Sequence, residues 1–496
     1  MKTGFGTDSN GAQPGRRVLS PGGMETIHAK ALQILRDTGL RVMHRGFYPG
    51  LEAAGAAVDH SSGVVRFPHK LVEDTIEGLR GQIGKGHKQN LMNGVTSPHT
   101  EDGALRLKFA GAAIEYLDPL SGEVRAPEDM DLIRLIALGE SMPEVSFIGN
   151  PVCVLRDGNG SPVPGPLQRI KTAAAVAKYT TKYGSNEVWN ERELELLIEL
   201  GGIVRGGRDG FFKNPCFMTA KETISPLIFP EDDGRILAML AERGLPCTVI
   251  PMPISGGTSP VTAAANIAVC TAEVLGALAC IRASYPCAMA GGGVLSGVMD
   301  MRKGQASFAA PEAILQDLGA ANLFADMYGQ NFAIGAGYID AAAPGAQASV
   351  EILAKIRASH DIGHCYYPVG LLKGGKRWSP VQAFVGLEMA EYVHRAAGPL
   401  QFGDGDIPVG LVGEVGIGGN FFGCDHTLDN YRQNVWFPEL MERTSAEGGV
   451  DAMVENARQK WSDFLKKDIT PAVDRETERE IDEWERISIK ILTEGI

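Results

Sequence analysis

Residues 416–427, GIGGNFFGCDHT, crowd glycines, Asn420, Phe421, Phe422 and the run Cys424-Asp425-His426 into one short stretch. A phosphate cradle, a metal site and a shaped wall beside another ligand could each use such a composition. Phosphate binding lacks its partner, because no Walker lysine follows these glycines or those of the other Gly-rich turns. Three adjacent side chains cannot all face one ion from a regular strand or helix, so Cys424, Asp425 and His426 make a poor ligand set. Asp361 and His364 are a second weak pair, and no metal site is expected. G-x-S-x-G and H-E-x-x-H are also missing. What remains are single polar groups, among them Asn150, Asn186, Lys221, Glu222, Ser225, Asp340 and His364. Beside them stand aromatics suited to an ammonium ion by cation–π attraction: Tyr116, Phe308, Tyr338, Tyr366, Tyr367, Phe421 and Phe422.

The elements that must position these groups follow a strand–helix rhythm. Apolar runs recur at EVSFIGNPVCV, YTTKYGSN, PCFMTAKE, PCTVIPMP, PCAMAGGG, NFAIGAG and DIGHCYYPVG, with helical stretches between. Near-continuous apolar strands alternating with helices predict a parallel sheet covered on both faces. Seven such runs, with an eighth sought in PLQFGDG or PVGLVGEVGIGGNFF, predict an α/β fold of the (β/α)8 TIM-barrel type. A doubly wound sheet competes, but no G-x-G-x-x-G follows the first strand. The expected division is a helical and mixed N-terminal extension over 1–140, a barrel over 141–440, and C-terminal helices over 441–496 that pack on the barrel. In the last helix Ile481, Trp484, Ile487 and Ile491 are expected to form the packing stripe. Strand C-terminal ends carry the ligand groups of a barrel, which selects Asn186, Glu222, Phe308, Tyr338, His364 and Tyr366.

Composition narrows the function classes. The 496 residues are 44% hydrophobic and 22% charged, enough for a large core, and the net charge of −13 argues against nucleic acid or an anionic membrane as a partner. The 8 cysteines are scattered through apolar runs without C-x-x-C spacing, which points to reduced, buried thiols and a cytoplasmic protein. The most apolar stretch, VTAAANIAVCTAEVLGALACIRA, carries Asn266 and Glu273 and reads as a buried helix rather than a membrane span.

Three long motifs, GGTSPVTAAANIAVCTAEVLG, GAGYIDAAAPGAQASVE and GGNFFGCDHTLDNYRQNVWFPELMER, together resemble the trimethylamine methyltransferase family, and the likeness runs over nearly the whole chain. The resemblance implies transfer of a methyl group from an amine to the cobalt of a separate corrinoid protein. Members with pyrrolysine demethylate trimethylamine. Members without it are associated with quaternary amines such as glycine betaine, and this chain has only the standard residues. No cobalamin-binding D-x-H-x-x-G occurs, so the corrinoid cofactor is expected on the partner and none in this chain. An oligomer of identical chains is also expected. On strand-end geometry Glu222 is the candidate catalytic group, placed near an ammonium or holding a donor behind it, with an ion pair to Lys221 as the alternative. Asn186, Phe308, Tyr338, His364, Tyr366, Asn420 and Phe421 are the candidate substrate contacts. A betaine carboxylate would be oriented by His364, Arg302, Arg377 or loop N–H groups. Two rivals remain at this stage: a non-catalytic quaternary-amine sensor on the same scaffold, and a lyase using Lys221 as a Schiff base.

Overall fold

The computed structural model describes residues 16–84, 89–90, 95–96, 105–217, 219–363, 366–397, 403–443 and 450–494. Its centre is a ring of parallel strands: β1 (Arg106–Phe109), β2 (Val145–Ile148), β3 (a bridge-forming segment at 183–185), β4 (Ala220–Lys221), β5 (Cys247–Val249), β6 (Ala290–Val294), β7 (Ala333–Ile334) and β8 (Tyr366–Pro368). One arc pairs β8, β1, β2 and β3 in that order, and the other pairs β4, β5, β6 and β7. The arcs abut at both junctions. Tyr183 and Phe217 meet edge to face at 5.7 Å beside β3 and β4, and Gly337 after β7 lies so close to β8 that a Cβ there would stand 2.3 Å from the Pro368 carbonyl oxygen. Each strand leads to one covering helix: α1 (Asp129–Ser141), α2 (Gly165–Tyr179), α3 (Glu191–Arg205), α4 (Glu231–Glu242), α5 (Ala263–Ser284), α6 (Pro311–Tyr328), α7 (Ala346–Asp361) and α8 (Pro380–Ala397). The fold is the (β/α)8 barrel.

The expected eighth strand is misplaced in the sequence reading. The missing member is β1, which pairs with both β8 and β2 but falls inside the stretch assigned to the N-terminal extension. A barrel begun at residue 141 would lack it. Within PVGLVGEVGIGGNFF the chain forms a short helix, α9 (Val409–Val415), and a turn. PLQFGDG lies partly outside the described residues and ends in a 3-10 turn over Asp404–Asp406.

Helix α5 is apolar all round because it is covered all round. Its inner face lies on β6, where glycine permits the approach: a Cβ on Gly292 would sit 2.7 Å from Val274. Its outer face takes the N-terminal helix Pro21–Asp37. α5 alone among the described helices is long and apolar enough to cross a bilayer, and here it is the core of the shell. The N-terminal region adds a small sheet in which Leu40–Val42 runs parallel to Ile228–Phe229. That strand belongs to the loop after β4, so the extension braces the barrel mouth.

The last helix, α12 (Arg475–Thr493), lies across α2 and α3. Ile481, Trp484, Ser488 and Leu492 face inward, while Ile487 is 42% exposed, as a 3.6-residue period requires. Trp484 Nε1 donates to the Leu196 carbonyl at 3.0 Å. Trp484→Ala is expected to cost about 3 kcal/mol through the cavity and the lost bond. A denaturant midpoint equal to the parent's would show that α12 does not support the barrel.

Candidate active site at the barrel mouth

The C-terminal ends of the strands open onto a cavity of about 390 Å³, within the range of small-molecule sites. Two ribbons raise its rim. One pairs Ile254–Ser255, Gly297–Asp300 and Gln305–Ser307; the other pairs Leu371–Leu372, Arg377–Trp378, Glu115–Leu117 and Val124–Arg125. Alternation along each strand decides which side chains reach inside. Lys108 on β1, Phe147 on β2, Glu187 after β3, Glu222 after β4, Thr248 on β5 and Tyr338 after β7 all line the cavity.

The site has an acidic side and a basic side. Glu222 and Glu187 follow neighbouring strands. The walls around Glu222 disfavour its charged form and the Glu187 carboxylate adds repulsion, so its carboxyl is raised to about 7. Solvent still reaches this side chain through the mouth. Both glutamates also bear on Tyr338, but burial is the main cause that pushes its hydroxyl up to about 12. Lys108 stands on β1, three steps round the ring from β4, with its ammonium 5.2 Å from the centre of the Phe147 ring. For an eight-stranded barrel that separation is roughly 14 Å between backbones, a gap that two inward side chains and a small ligand can fill. Phe147, Phe332 and Tyr338 supply aromatic surface between. Phe332 is fixed by stacking on Phe324 at 3.9 Å. The Thr248 hydroxyl is buried without a hydrogen-bond partner among the described residues, a group a ligand could satisfy.

The loop that carries Glu222 is tied down from behind. Glu273, buried on α5, accepts from the Thr223 hydroxyl at 2.9 Å, the Ser225 hydroxyl at 2.8 Å and the Leu227 amide at 2.9 Å. One carboxylate thus fixes the turn from β4 into the N-terminal sheet.

The sequence candidates separate into groups. Glu222 and Tyr338 meet in the cavity. Phe308 stands one layer back, its ring 6.4 Å from that of Tyr338 and its amide held by Asp340. Asn186 is buried and turned away: its neighbours Ser185 and Glu187 line the cavity, so parity along the segment excludes it. Arg302 sits exposed in the hairpin turn between two rim strands. Arg377 is paired with Glu115 at 2.7 Å in the second ribbon. Neither arginine lines the cavity. Asn420 and Phe421 are exposed, in the segment after the last barrel helix, and are not among the residues that line the cavity. His364 lies outside the described residues; Tyr366 belongs to β8, and its side chain is likewise outside them. Lys221 is buried outside the cavity lining, 3.6 Å from Glu187 and 3.8 Å from Asp233, with the Trp189 ring beside it. That placement removes the geometric basis for a Schiff-base lysine. Sequence reasoning missed Lys108, Glu187 and Thr248. The charged inward positions of ALRLKF were the available signal for Lys108.

Comparison with known proteins gives a family and several relatives. The family described as Trimethylamine methyltransferase (MTTB) matches residues 9–488. A trimethylamine methyltransferase MttB of Desulfitobacterium hafniense (strain DSM 10664 / DCB-2) is 25% identical, covering 88% of this chain and 85% of that protein. A glycine betaine methyltransferase of D. hafniense (strain Y51) is 21% identical, covering 94% and 96%. Among solved structures, the Methanosarcina barkeri monomethylamine methyltransferase MtmB aligns over 94% of this chain and 93% of its own, at 14% identity and a TM-score of 0.44.

Two outcomes follow from the geometry. Because the folded Glu222 carboxyl binds its proton more tightly than an unfolded one, its contribution to stability is present below pH 4.5 and is lost as pH rises through about 7. Glu222→Gln should therefore gain in melting temperature relative to the parent across that window, and a pH-independent difference would contradict the assignment. Glu273→Ala strands three donors and should cost about 3 kcal/mol or more. It should also speed amide exchange in 223–229, and unchanged exchange there would deny Glu273 its bracing role.

Proposed function

The chain belongs to the trimethylamine methyltransferase family and is a methyltransferase, and on that footing we propose that it moves a methyl group from a quaternary amine, glycine betaine in the first place, to the Co(I) centre of a separate corrinoid protein, releasing dimethylglycine. The observation that carries this reading is the placement of Lys108 and Glu222 on opposite sides of one aromatic-walled cavity. A betaine has the same arrangement in negative, a carboxylate at one end and an ammonium at the other. Its carboxylate pairs with Lys108 by charge-assisted hydrogen bonds. Its ammonium rests against Tyr338, on the side of Glu222, a contact worth ~0.5–2 kcal/mol by cation–π attraction. The likeness to a protein named glycine betaine methyltransferase supports the choice. So does the lack of any non-standard electrophilic residue in the sequence, since a quaternary nitrogen has no lone pair with which to add to one.

The chemistry asks for position more than for proton transfer. The methyl carbon passes in line from nitrogen to the acceptor: the C–N bond breaks with its electron pair left on nitrogen, and the pair for the new bond comes from Co(I). The amine departs neutral, so no acid is needed. Opposite charges are consumed on the way, so displacing water from the cavity as substrate and acceptor dock favours that step over the solvated reactants. A full carboxylate 4 Å from the ammonium could hold it by as much as ~4 kcal/mol at an effective dielectric of 20, and would lose that hold as the charge fades. A Glu222 carboxyl raised to about 7 is charged only part of the time near neutrality. It attracts the cation without fixing it in the ground state.

The test is a panel of quaternary amines incubated with the reduced corrinoid protein while the cobalt spectrum is followed. Glycine betaine should drive methylation, and silence from every quaternary amine would favour the sensor reading. Lys108→Met should raise KM for glycine betaine roughly 10- to 100-fold, the loss of a charged hydrogen bond, and leave choline, which has no carboxylate, little changed. Equal losses for both would remove Lys108 from carboxylate recognition.

A further inference from the structure

Glu187 and Glu222 both line the acidic side of the cavity, but they have different neighbours. Lys221, the residue before Glu222, points the other way along β4, away from the cavity and towards α4. Its side chain is 3% exposed. Among the described residues its ammonium has two ion-pair partners, Glu187 Oε2 at 3.6 Å and Asp233 Oδ1 at 3.8 Å. Both distances exceed a hydrogen bond, so the ammonium stands between two carboxylates and is locked to neither. The Trp189 ring, with its centre 5.2 Å away, adds a third contact. Trp189 is itself held, because its amide donates to Glu193 at 2.9 Å. Arg169 also lies over that ring, at 5.4 Å, but its Nε donates to Glu193 at 2.8 Å. Arg169 is thereby committed to Glu193, and among the described residues Lys221 is the cation ion-paired with Glu187.

A buried ammonium is stable only where carboxylates compensate it, and the compensation acts in both directions. Part of the Glu187 field is taken up by Lys221. At Glu222 the neighbours oppose one another. Desolvation by the walls is the main cause that raises its carboxyl to about 7, Glu187 and Asp233 add to it, and Lys221 is the charge that pulls it back. Asp233 is raised as well, by burial first, with Asp232 and Glu187 pushing the same way and Lys221 against them.

We propose that Lys221 is a positioning residue that holds the Glu187 carboxylate to the cavity wall and takes up its charge, leaving Glu222 to face the cation of the bound amine. The inference rests on reading the cavity as a quaternary-amine site. Without Lys221, two uncompensated carboxylates would share the acidic side and repel each other. An ammonium between them would be held hardest in the ground state, and that hold would fade as the methyl left. With Lys221 in place, one negative charge is balanced before the substrate enters, and the other follows the pH.

Two variants of the full chain test this. Each is read by the ¹³C resonance of the Glu222 carboxyl without substrate, assigned with Glu222→Gln, and by glycine betaine affinity above and below neutrality. In Lys221→Met the Glu222 midpoint should rise above about 7. Betaine should then bind roughly 3- to 10-fold more weakly below neutrality, yet at least as tightly as to the parent at alkaline pH. Lys221→Arg should restore the parent's behaviour. In Glu187→Gln, which takes away the nearer partner of Lys221, the Glu222 midpoint should fall and betaine binding should persist further into acid. Should Lys221→Met fail to fold, Glu187→Gln decides, since its position is only half-buried. A folded Lys221→Met with an unmoved Glu222 midpoint, or with affinity lost by one factor at every pH, would overturn the proposal. So would a Glu187→Gln that loses betaine at every pH, because Glu187 would then be the partner of the cation. The expected midpoints in a chain that binds no quaternary amine would sink the amine reading while the Lys221–Glu187 pairing stood.

Discussion

The mouth of this barrel depends on keeping two unlike charges apart. Lys108 and Glu222 line one cavity but stand on strands three steps apart in a ring of eight, and the backbone separation that follows prevents them from neutralising each other directly. A ligand whose own charges are similarly spaced can approach both. Everything nearby serves that separation. The Lys108 ammonium lies by the Phe147 ring, while Glu222 is set by a loop that Glu273 and the N-terminal sheet hold from behind. Had the two charged groups been on adjacent strands, they would have formed an ion pair and closed the site.

The lack of any familiar acid–base set is consistent with that design. A methyl group leaving a quaternary nitrogen needs no proton, and an aromatic wall tolerates a positive charge without demanding it. Among the described residues two glutamates, Glu187 and Glu222, line the cavity. Desolvation by the cavity walls and the nearby Glu187 weaken the Glu222 charge near neutrality, although solvent still reaches the side chain. Tyr338, whose hydroxyl stays protonated, adds surface rather than another anion.

Much of the barrel could be read from the chain because its strands are buried on both faces and spaced by one helix each. The exception is instructive. In β1, Arg106 and Lys108 alternate with buried Leu107 and Phe109, so the strand reads as one side of a solvated sheet. It alternates because the inner face meets an open cavity instead of a packed core. A rim ribbon, Glu115–Leu117 with Val124–Arg125, then separates it from α1 and hides the strand–helix spacing. The same masking concealed Lys108. The strand-end rule found Glu222 and Tyr338 but could not assign parity in the loop after β3, where Asn186 turns away between Ser185 and Glu187. Arg302 and Arg377 failed for a different reason: a charge in a hairpin turn, or one already paired with Glu115, has no call on the cavity. The segment around Asn420 and Phe421 has the composition of a ligand wall, yet its apolar groups face outward.

The most direct measurement follows the methyl group itself. Glycine betaine labelled with ¹³C in its N-methyl groups is incubated with this chain and the reduced corrinoid protein, and both products are quantified. The account predicts labelled dimethylglycine and a labelled methyl on the corrinoid protein in equal amounts, with neither formed when this chain is omitted. Dimethylglycine without a methylated acceptor, or binding of the betaine with no product at all, would contradict it.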